Sequence, residues 1–180
     1  MRWRETCGVV LAILLCASAS TARAQTPYGI GRPATAAEIA GWNIDIDRDG
    51  SNLPQGSGSV SHGREVFVQQ CASCHGDKGE GGIGDRLVGG QGTIGTAKPV
   101  RTVGSYWPYA PTLFDYIRRA MPQNAPQSLS DEDVYAVSAY ILTEAKIIDK
   151  SMVLDAKTLP PIEMPNRSGF VPDPRPEMFK

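Results

Sequence analysis

The stretch VFVQQCASCHGDKGEGG, residues 66–82, sets two cysteines three positions apart, follows the second at once with a histidine, and runs on into glycines. Three chemistries use such a set: tetrahedral zinc, a redox dithiol and covalent haem attachment. Zinc in a structural site takes four ligands, and beyond residue 24 the only cysteines and histidines are Cys71, Cys74, His62 and His75. Cys74 and His75 are neighbours and would point in different directions at a helix end, which strains a joint tetrahedral site. A dithiol oxidoreductase sets C-x-x-C beside a βαβ pattern, and none is visible. Haem attachment uses all three residues together. Cys71 and Cys74 would form thioethers to the two vinyl groups, and His75 would bind the iron.

The opening residues fit that reading. MRWRET carries two arginines, CGVVLAILLCASAS is apolar, and Ala22-Arg23-Ala24 is a small-x-small pattern, the order of a cleaved secretory signal peptide. The apolar run falls short of the about 20 residues that a membrane span needs. Residues 1–24 are thus expected to be a signal peptide, and the protein to be periplasmic without membrane insertion, where haem attachment of this kind is made. Cys7 and Cys16 would leave with that peptide, so two of the four cysteines remain, too few for a disulfide scaffold. Loss of Arg2, Arg4, Arg23 and Glu5 moves the net charge from −1 to −3, a balance that points to neither nucleic acid nor anionic membrane.

The remainder divides by composition. Residues 25–60, rich in Gly, Pro and Ser, read as an irregular N-terminal extension, and residues 61–148 hold the helical patterns. Residues 149–180 contain six of the fourteen prolines and read as an extended arm that either lies on the domain or moves freely. Three helices are expected. One runs from about Ser61 to Cys71, with Gly63, Phe67, Cys71 and Cys74 along one side. A second follows Pro111 through Leu113, Tyr116, Ile117 and Ala120. A third begins at the N-cap Ser130, with Asp131, Glu132 and Asp133 at the positive end of its dipole, and keeps Val134, Val137, Ile141, Ala145 and Ile148 on one face to about Asp149. Residues 76–100 carry too much glycine for a regular element, and no strand pair stands out. The fold class is all-α with long loops, and one haem would supply the core that those loops wrap.

A sixth ligand to iron follows from the second helix. Pro122 biases Met121 away from helical geometry, so the helix should end there and present the methionine sulfur on a loop. Met152, Met164, Met178 and His62 compete, but apolar packing accounts for the three tail methionines and a solvated side chain for His62. Trp107 and Tyr109 in SYWPYAP, with Arg101, would reach haem propionates, or else fill space beside the second helix. DIDRDG places Asp45, Asp47, Asp49 and Gly50 like the start of an EF-hand loop, but Gly56 stands where a bidentate Glu belongs and Pro54 blocks the flanking helix. A solvated turn is the better reading.

With its helix ending in C-x-x-C-H, its short helix before Met-Pro and its final helix, the segment 61–148 resembles the class I c-type cytochromes. That resemblance implies Gly63 and Phe67 packing near Tyr140 where two helices cross. Many members carry Gly-Pro-x-Leu after the haem site, and the proline carbonyl receives the histidine N–H. Here GDRL puts Asp85 in the proline position, which leaves the partner of His75 open. The stretches at 29–59, 102–122 (TVGSYWPYAPTLFDYIRRAMP), 127–142 (QSLSDEDVYAVSAYIL) and 164–176 also resemble the cytochrome subunits of sulfane dehydrogenase, in the Sox thiosulfate-oxidising system, and of related sulfite dehydrogenases. The resemblance implies a molybdenum-cofactor catalytic partner, a downstream cytochrome or oxidase, and extensions that clasp a partner. It implies a non-catalytic electron-transfer subunit, with no catalytic residues of its own. The alternatives are a free-standing shuttle and a haem sensor with an open distal site.

Overall fold

A computed structural model describes residues 30–172, so the expected signal peptide and Met178 lie outside the described residues. The chain forms two units, divided after Trp42. In the first, helix α1 (Ala36–Trp42) starts at a reciprocal cap. The Thr35 hydroxyl accepts from the Glu38 amide at 3.3 Å and the Glu38 carboxylate accepts from the Thr35 amide at 2.8 Å, the two halves of a capping box. Arg32 pairs with the same carboxylate at 2.8 Å. None of the residues of α1 is buried.

The second unit contains β1 (Ser57–Ser59), α2 (Val60–Gln70), α3 (Ala72–His75), α4 (Ala110–Ala120), α5 (Asp131–Glu144) and β2 (Val153–Asp155). Helices α2 and α5 start at serine caps. Ser59 Oγ accepts from the His62 amide at 3.3 Å and Ser130 Oγ from the Asp133 amide at 3.1 Å. Helices α2 and α5 meet backbone to backbone. A Cβ at Gly63 would lie 1.8 Å from the Ala136 carbonyl oxygen, so only glycine permits this crossing. One turn on, the Phe67 and Tyr140 rings stand 5.0 Å apart. The helix crossing implied by the resemblance is therefore present, with these residues at it.

Three features differ from the sequence reading. Helix α1 lies within the extension 25–60, whose composition reads as irregular. The fold is helix-rich but has a short antiparallel ladder, Ser57–Ser59 against Asp155–Val153. Ser-Gly-Ser offers no apolar alternation, so nothing in its sequence marks it as a strand. Helix α5 also ends five residues early. Ile147 N–H bonds the Leu142 carbonyl and Lys146 N–H the Thr143 carbonyl, each at 2.9 Å, with Lys146 left-handed at φ 59°. That is a Schellman stop built on lysine where glycine is usual.

The C-terminal arm explains the burial of α5. Every residue from Val134 to Leu142 is buried, beyond the single apolar face of the sequence reading. Leu154, Leu159 and Met164, at 0–1 % exposure, join the same hydrophobic cluster. The arm thus lies on the domain at least to Met164. The N-terminal extension behaves likewise past residue 43, where Ile46 is buried and Tyr135 Oη donates to the Pro54 carbonyl at 2.8 Å. The DIDRDG segment is a turn closed by Gly50 N–H on the Asp47 carbonyl at 2.9 Å.

Candidate haem site

The cysteine pair sits where α2 breaks into α3. Cys71, at φ −123°, caps α2, and the His75 amide bonds the Cys71 carbonyl at 3.0 Å, closing one further turn. Both thiols are free, Cys71 half-buried and Cys74 exposed. Burial, and then the neighbouring Cys74, push the Cys71 thiol up to about 11. At neutral pH it stays protonated, the opposite of the lowered pKa that a reactive dithiol needs. Among the described residues, no three His, Cys, Asp or Glu side chains gather to hold a metal ion. Zinc and dithiol chemistry both lose ground.

The glycine-rich loop folds back on this turn. Gly81 N–H bonds the His75 carbonyl at 2.7 Å and Gly84 N–H the Cys74 carbonyl at 2.8 Å. That return delivers the Asp85 carbonyl to His75 Nδ1 at 2.7 Å. A carbonyl only accepts, so Nδ1 carries the proton and the Nε2 lone pair is left for a metal. The acceptor is backbone, which is why aspartate in the proline position leaves the interaction intact. A Cβ at Gly84 would lie 3.0 Å from His75 Cε1, so the close approach of loop to ring favours glycine.

Met121 follows the last residue of α4. Its φ of −121° and ψ of 146° are extended, and its amide bonds the Ile117 carbonyl at 3.0 Å, the helix end that Pro122 forecast. Cys71, Leu87, Trp107 and Met121 are half-buried and pack against one core cluster. The fold therefore places Cys71 and Met121, two of the residues expected from sequence at a haem, against the same apolar core. The donors fit haem c: two free thiols three residues apart, an imidazole with Nε2 unused, and a thioether on a loop beside incompletely covered apolar side chains.

The other sequence candidates have different company. Arg101 lies 5.4 Å from the Tyr106 ring centroid, and Tyr109 carries Arg167 at 4.3 Å and Arg48 at 5.7 Å. Trp107 packs edge-on to Tyr116 at 5.7 Å. Of the competitors for iron, His62 Nε2 bonds Asp133 at 2.7 Å, and Met164 is in the core. Sequence reasoning passed over Asp115, a carboxylate only 7 % exposed that accepts from the Ile46 amide and from Arg119 one turn further along α4. The sequence around it carries no signal for this contact, because the Ile46 amide lies 69 positions away.

Residues 58–141 match the family model described as cytochrome C oxidase, cbb3-type, subunit III. Among curated proteins, the thiosulfate dehydrogenase of Stutzerimonas stutzeri (strain A1501) is 29 % identical over 102 residues, 56 % of this chain. The chain spans only 32 % of that protein's length. Among solved structures, the sulfane dehydrogenase SoxCD from Paracoccus pantotrophus is similar at a TM-score of 0.77 and 41 % identity, covering 82 % of this chain and 73 % of that one. The C-x-x-C-H turn, the helix crossing over Gly63 and these matches agree: the chain belongs to the c-type cytochromes, the haem-binding electron-transfer proteins.

Proposed function

We propose that this chain is a periplasmic one-haem electron carrier that serves a molybdenum-cofactor dehydrogenase acting on sulfane or sulfite sulfur, and passes electrons to a further cytochrome or an oxidase. Cys71 and Cys74 hold the haem through thioethers, and His75 Nε2 and Met121 Sδ are the axial donors. When bound, the haem supplies one-electron chemistry at iron. The chain's own residues set its environment. The Asp85 carbonyl fixes the tautomer and orientation of His75 and raises its basicity, while a methionine ligand raises the potential, which suits an acceptor of electrons. Trp107, Tyr109 and Arg101 remain the candidates for propionate contacts.

The observation that carries the haem assignment is the His75 Nδ1–Asp85 hydrogen bond at 2.7 Å, which leaves one ring nitrogen beside two free thiols. The sulfur assignment rests on the likeness to the sulfane dehydrogenase structure over 82 % of the chain and on the name of the curated relative. Gentle purification of the native protein, with molybdenum quantified in the haem-containing peak, tests it. Molybdenum in fixed ratio to haem is expected. Haem alone in a monomer-sized peak would instead favour a free-standing shuttle.

A further inference from the structure

The last turns of α4, capped by Met121, are tied to neighbouring segments through the helix's own side chains, two adjacent arginines and one buried carboxylate. Asp115 Oδ1 accepts from the Ile46 amide at 3.0 Å and from Arg119 Nε at 2.9 Å, and its second oxygen also meets Arg119. Arg118 Nε donates to Asp131 at 2.8 Å, and its Nη1 donates to the Ile44 carbonyl at 3.2 Å. A strap of residues 44–54 is thus fixed by both faces of its backbone, with the Ile44 carbonyl on Arg118 and the Ile46 N–H on Asp115. Its far end is tied by Tyr135 Oη on the Pro54 carbonyl. Ile46 is 6 % exposed and Asp115 7 %, so the bond between them lies where water is scarce and an unpaired partner is costly.

We propose that Asp115 and Arg118 are positioning residues for Met121, and that the strap they bind locks the methionine sulfur at the iron. The inference rests on the reading of Met121 as an axial ligand. Neither residue touches the haem in this account. They act by preventing the last turn of α4 from fraying, the motion that would carry Met121 away. A helix end normally opens at little cost, since its last carbonyls lack intrahelical donors. Here the same turn is bonded to the start of α5 through Asp131 and to the strap through Ile44 and Ile46. Loss of the methionine ligand then requires release of the strap.

The test uses the holoprotein and its Met121→Ala, Asp115→Ala and Arg118→Ala variants, with Ile162→Val as a core change in the arm. Two readouts report on the ligand: the methionine–iron charge-transfer band of the ferric form and the rate of CO binding to the ferrous form. CO takes the coordination position that the sulfur vacates. The band should be present in the unaltered protein and absent in Met121→Ala. Asp115→Ala and Arg118→Ala should bind CO about tenfold faster or more, equivalent to about 1.4 kcal/mol, while Ile162→Val leaves the rate unchanged. Rates and bands unaltered in both strap variants would overturn the inference and leave Met121 standing as ligand. A missing band in the unaltered protein would overturn both. Should the variants fail to fold, hydrogen exchange on the unaltered protein decides. The band should disappear at the denaturant concentration that exposes the Ile46 amide, and loss of the band while that amide stays protected would refute the lock.

Discussion

Gly84 shows how an absent side chain can fix the partner of a histidine. Its missing side chain lets the return loop bring the Asp85 carbonyl onto His75, and a Cβ there would stand 3.0 Å from the ring. Gly84→Ala should push the loop outward, weaken the bond on Nδ1 and make the imidazole less basic. The ferrous form then gains, and the midpoint potential should rise by a few tens of mV, within about the 59 mV of a tenfold one-electron shift. Potentiometric titration checks both sign and size. Tyr135 carries a second residue-scale expectation. Burial pushes its phenol up to about 12, above the ordinary value near 10. The unfolded chain therefore releases that proton first, and the stability contributed by the neutral phenol is present below pH about 10 and lost as pH rises toward about 12. The urea midpoint should fall across that window, and less so in Tyr135→Phe.

At the scale of elements, the helix starts were legible and the stops only partly. Ser130 with three acidic residues, and Pro111 in the first turn of α4, are local signals whose physics needs no partner. Pro122 likewise ended α4 at Met121. The stop of α5 was invisible, because Lys146 carries no preference for the left-handed conformation that it adopts. Lys146→Gly should relieve that strain and raise stability by about 0.5–1 kcal/mol, measurable by urea titration. The crossing of α2 and α5 makes the opposite case. Gly63→Ala must drive two backbones apart, since its Cβ would meet the Ala136 carbonyl, and should cost about 3 kcal/mol or more. The C-x-x-C-H turn could be read from sequence, because covalent attachment restricts residue type and spacing, and Pro122 marked the helix end at Met121. Asp115 could not, since its hydrogen bond to Ile46 N–H spans 69 positions.

The whole molecule shows extensions that serve the domain. From residue 149 onward the sequence reads as an arm because it holds six of the fourteen prolines, and Leu154, Leu159, Ile162 and Met164 lie within it. All four are nevertheless buried against α5 and its neighbours. At about 1.5–3 kcal/mol for each buried side chain of this kind, their removal rivals the about 5–15 kcal/mol that holds a domain folded. A chain ending at Lys150 should therefore fail to give a cooperative thermal transition by circular dichroism, so deletion of the arm tests stability before it tests partner binding. Among the described residues no helix is long and apolar enough to cross a membrane.

Mass spectrometry of the protein purified from its native host, intact and after proteolysis, addresses the account at its centre. One haem per chain, covalently carried by the peptide that contains Cys71, Cys74 and His75, is the predicted result, with the adduct lost when both cysteines are replaced by alanine. A chain without haem, a second haem on another peptide, or a disulfide between Cys71 and Cys74 would contradict it.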